Sequence, residues 1–487
     1  MKENHPTGIQ DRRYIIKGSL INSLGIVTNA VSPALVLVLA RYFPQKEFGL
    51  FISLQLFVLT VSKLFALGFD KGLMWFIPKR QQDKSEYQMA LYGSINRSLL
   101  FAATGCVVLV LLIYSGVLDR FETFSRLPRG VVALCLCNIV PFVVLQIGEG
   151  AFEAIRMPHI KILINRFLVN TLFPIFAILC HLLGLSYFSL AIGYTFANIL
   201  GIVIYVFLLR RYFSKWRAQL AVPRQLRVYS YPLMFADVIG GMLLRLDIWM
   251  ILAILGPKEA AVYSVMVVLS NGIKMVRQNF DPLLVTVISK MNRSRIQNEL
   301  KDTFSFSINT ITTIQFVIAL FILFIPKEVL AIAGRDYTTA PIALTVLVIG
   351  NLLNGLFGGS GLILRGIGKS ALMMYINVAT LAINFGGNLL LISRFGLVGA
   401  AMASVFSLLF QNLCFIVAVK IITGHHFYKS ALIVNLLLIL LFCAAIAFGF
   451  QSIQQYSLPA RILQLSVSLV AFGAFVFLRW RRKAFSR

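Results

Sequence analysis

About 14 apolar stretches, each long enough to cross a bilayer, follow one another along this chain from Ile15 to Trp480. A membrane-spanning helix needs roughly 20 mostly apolar residues, because every backbone N–H and C=O group must be paired within the segment. The composition agrees, since 59% of the 487 residues are hydrophobic and only 13% are charged, against about 25% charged in soluble domains. The sequence therefore predicts an all-α integral membrane protein with about 14 transmembrane helices. They cover residues 15–40, 48–69, 90–116, 131–152, 160–182, 186–209, 229–255, 260–283, 303–325, 338–363, 370–393, 397–422, 428–450 and 458–480.

The positive charges are distributed unevenly among the segments that connect these spans. The N-terminal tail, the C-terminal tail and every second connection hold 30 of the 45 Lys and Arg residues, and the intervening connections hold 10. Cytoplasmic segments carry such an excess of Lys and Arg. We therefore expect a multi-pass protein with an even number of spans and both termini in the cytoplasm. The net charge of +27 suits anionic membrane lipids, so no nucleic-acid partner is expected.

The two halves of the chain resemble each other. The segment from Lys46 to Phe51, which opens the second predicted helix, is matched 212 residues later by the segment from Lys258 to Tyr263, which opens the eighth. Helix n therefore corresponds to helix n+6. Because six is even, both halves enter the membrane with the same orientation, and a shared axis along the membrane normal relates them. The prediction is two pseudo-symmetric six-helix lobes around a central cavity, with two extra C-terminal helices.

This repeat divides the chain into four parts. Residues 1–210 form the predicted N-lobe with helices 1 to 6, and residues 229–424 form the C-lobe with helices 7 to 12. Residues 211–228 are basic and aromatic, which predicts an amphipathic linker on the cytoplasmic surface. Residues 425–487 contain helices 13 and 14 and a basic cytoplasmic tail.

The five Lys and Arg residues that are not counted with the tails or connections lie inside the predicted spans, and each costs roughly 2.5–3.5 kcal/mol near the bilayer centre. They therefore face water, an acidic partner or an anionic ligand. The same stretches offer only four carboxylates. The cations are Lys63, Arg97, Arg245, Lys274 and Arg277, and the carboxylates are Asp70, Asp237, Asp247 and Asp281.

Helical spacing places several of these charges on common faces. Lys274, Arg277 and Asp281 follow i, i+3, i+7 spacing, and Lys63 and Asp70 are two turns apart on one face. Two interpretations remain open. The charges form internal salt bridges, or the interior keeps a net positive potential that suits a phosphate or pyrophosphate, with Arg giving bidentate contacts and Lys a point charge. Cys135 and Cys137 point to different helix faces, so no metal site is expected.

Several segments resemble a known family in order and spacing, over essentially the whole chain. The sequence is similar to the polysaccharide transporter family, the Wzx-like branch of the multidrug/oligosaccharidyl-lipid/polysaccharide flippase superfamily. The segments that carry the resemblance are 40–51, 67–70, 245–247, 255–256, 261–264, 280–282, 364–369, Asn384, Asn388 and 395–401.

The resemblance implies a flippase, not an enzyme. It implies that a polyprenyl-pyrophosphate-linked oligosaccharide moves from the cytoplasmic to the outer leaflet of the bacterial inner membrane, by alternating access, for assembly of O-antigen, capsule or exopolysaccharide. Helices one, two, seven and eight line the cavity in that family, so Lys63, Arg245, Lys274 and Arg277 are the expected pyrophosphate ligands.

The remaining expectations concern charge balance and partners. Asp70, Asp237, Asp247 and Asp281 are expected to balance charge or couple an ion, while Arg97 is structural. No cofactor is expected beyond coupling to a proton or monovalent ion gradient. Besides the lipid-linked glycan and anionic lipids, the expected partners are the polysaccharide polymerase and the chain-length machinery.

Three alternatives remain open. The lipid II flippases carry arginines in the first helix, and residues 23–28 here contain none. Multidrug exporters usually have 12 helices and an acidic residue in the first, whereas the segment from Ile15 to Ala40 has no carboxylate. A membrane polymerase would show a large external loop, and the longest predicted here, Val117 to Gly130, is short.

Overall fold

The computed structural model describes residues 34–424, apart from residues 78–83, 118–125, 156, 158–159, 161, 186–187, 214–218, 291–298, 358 and 367–368. Within these residues all regular secondary structure is helical. The helices are α1 (34–42), α2 (Gln45–Phe65), α3 (Phe69–Phe76), α4 (Lys84–Tyr114), α5 (Arg129–Cys137), α6 (Ile139–Ala154), a π-helical segment (Ile162–Val169), α7 (Asn170–Leu182), α8 (Phe188–Phe213), α9 (Arg224–Leu243), α10 (Leu246–Ile254), α11 (Pro257–Lys290), α12 (Glu299–Phe324), α13 (Pro326–Ala331), a 3₁₀ turn (Arg335–Tyr337), α14 (Pro341–Phe357), α15 (Gly359–Gly366) and α16 (Ser370–Thr423).

Seven of the described helical stretches are long and apolar enough to cross a membrane. The 54-residue helix α16 counts once among them, although it would be about 80 Å long if straight, against a hydrocarbon core of about 30 Å. Gly396, with φ 57° and ψ −133°, breaks it into two arms. These arms correspond to the predicted eleventh and twelfth spans. Predicted helices 13 and 14, both termini and residues 15–33 of the first span lie outside the described residues.

The second predicted span is not one continuous helix. Helix α2 ends at Phe65, and Leu67 and Gly68 then adopt left-handed conformations with φ of 55° and 69° before α3 begins. The prediction that Lys63 and Asp70 share one helix face is therefore wrong, because the chain turns between them. The seventh span is also broken, since α9 ends at Leu243 and α10 begins at Leu246.

Asn138 interrupts the fourth predicted span between α5 and α6. Its side-chain amide donates hydrogen bonds to the Leu134 carbonyl at 3.0 Å and to the Thr195 hydroxyl at 2.8 Å, and its oxygen accepts one from Asn198 at 3.0 Å. Thr195 and Asn198 lie on α8, so the break also holds two helices together.

The described helices pack as two groups. Helices α2 to α8 contact one another, as do α9 to α16, and the extensive contacts between the groups run from α2 and α3 to α9, α10 and α11. We call this contact the seam. At one end of the seam, a Cβ built on Gly49 of α2 would lie only 1.9 Å from the Pro257 carbonyl oxygen of α11. The groups therefore meet backbone to backbone there.

Candidate ligand site in the seam

The seam continues from Gly49 along α2 toward its C-terminal end. The indole N–H of Trp249 on α10 donates to the Ser53 carbonyl oxygen of α2 at 3.2 Å. Two turns further along α2, the guanidinium of Arg245 donates through Nη1 to the Thr60 hydroxyl at 3.1 Å. Both contacts join the two helix groups through neutral acceptors.

Lys63 and Arg245 converge on one glycine of the seam. A Cβ built on Gly241 would lie 3.1 Å from Nη1 of Arg245 and 3.5 Å from Nζ of Lys63. Gly241 lies in the last turn of α9, and Arg245 caps the start of α10 with a non-helical backbone (φ −131°, ψ −12°). The break between α9 and α10 thus turns the Arg245 guanidinium back over Gly241, so that two cations from opposite groups flank a position with no side chain.

A neutral acceptor satisfies part of the hydrogen-bonding capacity of the Arg245 guanidinium. Thr60 is buried, and its hydroxyl donates to the Leu56 carbonyl at 2.9 Å while it accepts from Arg245. Among the described residues, the Lys63 ammonium has no hydrogen-bond acceptor. The pair therefore retains donors for an anion.

Asp237 lies four residues before Gly241 on the same face of α9, about 6 Å along the helix axis. It forms an ion pair with Lys71 of α3 across the seam. Lys63 also interacts electrostatically with Asp237 and, more weakly, with Asp70. Asp237 therefore lies between the half-exposed Lys71 and the two converging cations.

Close packing continues beyond this ion pair. The rings of Trp75 on α3 and Tyr229 on α9 are stacked at 4.4 Å and 12°. A Cβ built on Gly72 would lie 1.9 Å from the Ser230 hydroxyl and 3.2 Å from the Ser230 Cβ. The seam is therefore closed at the end that the charge pattern predicts to be cytoplasmic.

Asp247 occupies a separate polar cluster in the second group. Its carboxylate accepts hydrogen bonds from the Asn388 amide at 2.8 Å, from the Ser404 hydroxyl and from the Tyr263 hydroxyl at 3.5 Å. All three partners are buried, and the side-chain oxygen of Asn388 has no hydrogen-bond partner among the described residues. Asn384 extends the cluster because it donates to Ser407 at 3.1 Å. We call these residues the Asp247 cluster.

Lys274 and Arg277 form the second pair of predicted cations. Lys274 interacts electrostatically with Asp247 and Arg277. Arg277 donates through Nη1 to the Asn354 carbonyl oxygen of α14 at 2.7 Å, which ties it to the second group. No described contact joins this pair to Lys63 and Arg245. The side chain of Asp281 lies outside the described residues.

The sequence interpretation missed several residues of these sites. Gly241 and Thr60 carry no charge, and nothing in an apolar stretch marks which glycine or threonine meets a cation. Asn384 and Asn388 give a usable signal, because two amides at i, i+4 in an apolar span need partners. Glu149 in the fourth span is a further intramembrane carboxylate, and the Asn165 amide donates a hydrogen bond to it.

The fold and this charged seam define a class, a multi-pass helical membrane protein built like the transporters of the MOP superfamily. A lipid II flippase MurJ in an inward closed conformation is similar with a TM-score of 0.68 at 11% identity, over 95% of this chain and 99% of that chain. An inward-facing multidrug resistance MATE family transporter of the MOP superfamily is similar with a TM-score of 0.64 at 14% identity, over 84% of this chain and 95% of that chain. A MOP superfamily transporter from Pyrococcus furiosus, described by the reverse polarity of its binding pocket, has a TM-score of 0.60 at 14% identity, over 85% of this chain and 95% of that chain. At these identities the similarity shows the shared fold.

A family match narrows the class. The family described as polysaccharide biosynthesis protein matches residues 38–340, and the chain belongs to this family. No protein with curated annotation matches the chain.

Proposed function

We propose that the protein is a flippase that carries a polyprenyl-pyrophosphate-linked oligosaccharide from the cytoplasmic to the outer leaflet for surface polysaccharide assembly. The observation that carries this proposal is the convergence of Lys63 and Arg245 on Gly241. The family supports a role in polysaccharide biosynthesis, and the fold supports transport between two helix groups.

The chemistry of the site favours a compact, multiply charged anion. A planar guanidinium binds two oxygens at once, and an ammonium adds a point charge that adapts its position. At 4 Å and an effective dielectric constant of 20, each ion contact with a unit charge contributes about 4 kcal/mol before desolvation is subtracted. A pyrophosphate bridge presents two negative charges on neighbouring groups, so it matches two cations that flank one open position.

Transport in proteoliposomes tests this proposal. The protein is reconstituted with a polyprenyl-pyrophosphate-linked oligosaccharide, and the fraction of glycan cleaved by a glycosidase added outside is measured over time. We expect the wild type to increase this fraction and the Lys63→Ala/Arg245→Ala variant to reduce the rate at least to about a tenth, since two ion contacts are lost.

The matched control is Arg335→Ala, which removes a cation from an exposed turn outside the seam. It should transport like the wild type. Equal rates in the double variant and the wild type would overturn the proposed anion site. Failure of the wild type on several lipid-linked glycans, together with gradient-driven efflux of organic cations, would instead favour a small-molecule exporter of this fold.

The Asp247 cluster supplies the coupling step of the proposed cycle. A buried carboxylate surrounded by neutral donors is costly unless a cation or a proton accompanies it. Here Lys274 supplies a nearby charge, and the free oxygen of Asn388 adds an acceptor. Because the Asp247 carboxylate and the free Asn388 oxygen lie side by side, we propose that Asp247 takes up the proton or monovalent cation whose gradient drives turnover, in exchange for its interaction with Lys274, at a site separate from the Lys63 and Arg245 pair.

The variant Asp247→Asn distinguishes coupling from ligand binding. We expect it to bind the pyrophosphate lipid as the wild type does, while imposed proton or sodium gradients no longer change its transport rate. Asp336→Asn, which removes an exposed carboxylate outside the cluster, should keep the gradient response. A gradient response retained in Asp247→Asn would exclude Asp247 as the coupling residue.

A further inference from the structure

Asp237 occupies an unusual position for a carboxylate beside an anion site. It lies one turn from Gly241 on the same face of α9, within the electrostatic range of Lys63, and its ion-pair partner Lys71 belongs to the opposite helix group. A carboxylate so close to the Lys63 ammonium supplies in the empty protein the negative charge that a ligand would supply in the loaded protein. The same carboxylate repels an anion bound at Gly241.

Lys71 competes with Lys63 for the negative charge of Asp237. Its side chain is about half exposed, at 49%, while that of Asp237 is 19% exposed. The ion pair therefore gives the Asp237 carboxylate a half-exposed cation on α3 as a partner, in addition to its interaction with Lys63. Without Lys71, the remaining described cation next to Asp237 on α2 and α3 would be Lys63.

A transporter needs this kind of balance because a ligand must be bound tightly enough to enter and weakly enough to leave. The Lys63 and Arg245 pair alone would hold a pyrophosphate strongly in a medium of low dielectric constant. A carboxylate about 6 Å away along the helix opposes that attraction without blocking the position at Gly241.

We infer that Asp237 is a built-in competitor for the ligand anion, which Lys71 holds aside in the closed seam and which lowers affinity at Lys63 and Arg245 so that the ligand is released. This inference rests on the proposed function, because it describes the control of that same anion site. It assigns opposite roles to the two members of one ion pair: Asp237 weakens ligand binding, and Lys71 strengthens it.

The opposite signs give the test. Dissociation constants of farnesyl pyrophosphate are measured by isothermal titration calorimetry on the purified full-length protein, with farnesol as the uncharged comparison. We expect Asp237→Asn to lower the constant about tenfold, since one negative charge near the ligand is removed. We expect Lys71→Gln to raise it by a similar factor, because Asp237 is then free to approach Lys63.

A simple bridge between the helix groups predicts a different pattern. Both variants break the same ion pair, so a purely structural role would shift the two dissociation constants in the same direction. That result, or an unchanged constant in Asp237→Asn, would overturn the inference. Asp336→Asn is the matched control for the loss of one carboxylate and should bind as the wild type does.

Transport rates complete the test. Tighter binding in Asp237→Asn should slow release, so its maximal rate in the proteoliposome assay should fall while half-saturation moves to lower ligand concentration. If the wild type binds farnesyl pyrophosphate, loses binding when Lys63 is replaced, and has the same dissociation constant as Asp237→Asn, this inference is refuted and the proposed function is not. No binding of farnesyl pyrophosphate by the wild type would refute the proposed function with it.

Discussion

Gly241 is the residue around which the candidate site is built. A larger residue at this position would occupy the space that the Lys63 ammonium and the Arg245 guanidinium flank. The two neighbouring atoms are the far ends of flexible side chains, which can move aside. A side chain at position 241 should therefore damage binding more than folding.

Two adjacent glycines allow a matched comparison. We expect Gly241→Leu to abolish binding of farnesyl pyrophosphate, because leucine fills the space between the two cations. Gly240→Leu should bind as the wild type does, since a Cβ at position 240 meets nothing within 4 Å. Both changes replace glycine by a better helix former, so thermal unfolding should show both variants folded. Equal binding by the two variants would contradict the location of the site.

The charged members of the candidate site could be selected from the sequence, and its geometry could not. Lys63 and Arg245 stand out because a cation in an apolar span is costly. Their meeting point depends on the break at Arg245 and on how α2 packs against α9. No proline marks this break. Asp237 was predicted among the carboxylates, but its pairing with Lys71 depends on how α3 packs against α9.

At the scale of single elements, Asn138 shows how a polar residue stabilises a break in a spanning helix. Its three hydrogen bonds close the turn between α5 and α6 and join both to α8. The residue is fully buried. Loss of these bonds would remove the link from the turn to α8, where Thr195 and Asn198 would keep only their bonds to the Ala191 and Tyr194 carbonyls of their own helix.

We expect Asn138→Ala to lower the free energy of unfolding by about 1–3 kcal/mol, because three hydrogen bonds, two of them between helices, are lost. The measurement is the apparent Tm of the purified protein in detergent. Asn271→Ala is the control for the change from Asn to Ala, because the Asn271 side chain makes no hydrogen bond to the described part of the chain. A Tm unchanged in both variants would show that the Asn138 network contributes little.

Hydropathy predicted where the helices lie better than where they bend. Most described helices fall within a few residues of their predicted spans, and α9 begins at Arg224, five residues earlier than predicted. The breaks depend on side chains that return to the backbone, as Asn138 does, or on left-handed residues, which hydropathy does not register. The π-helical segment Ile162–Val169 is a further case.

At the scale of the whole molecule, the seam is closed at both of its described ends. Gly49 meets Pro257 at one end, and Gly72 meets Ser230 at the other, with the converging cations between them. Alternating access requires one end to open at a time. Under the proposed alternating-access mechanism the closed contacts belong to one state of the cycle, and holding one of them closed should stop transport.

A disulfide between positions 72 and 230 tests this requirement. The Cβ atoms would be 3.2 Å apart, close to the range of about 3.5–4.5 Å found in disulfides. In a background with the six native cysteines replaced by alanine, we expect oxidised Gly72→Cys/Ser230→Cys to stop transport and a reductant to restore it. Ser230→Cys alone should transport in both conditions. Full transport by the oxidised double variant would mean that this end of the seam does not open.

The two arms of α16 form a helical hairpin whose connecting loop is very short, with its turn at Gly396. A Cβ on Gly399 would lie 2.0 Å from the Leu391 carbonyl oxygen, so the arms are nearly in contact beside the turn at Gly396. Polar side chains bond from arm to arm: Asn384 donates to Ser407, and Gln411 donates to Asn377 at 2.8 Å. The polar side chains of each arm therefore find hydrogen-bond partners on the other arm.

Such a pair has a consequence for biogenesis. An amide that faces lipid alone opposes insertion, whereas paired amides do so much less. We expect the first arm to wait at the translocon until the second arm has been synthesised, and the two to enter the bilayer together. In a glycosylation-based insertion assay, a nascent chain ending at Phe395 should insert its last span less completely than one ending at Thr423. Equal insertion would show that the first arm needs no companion.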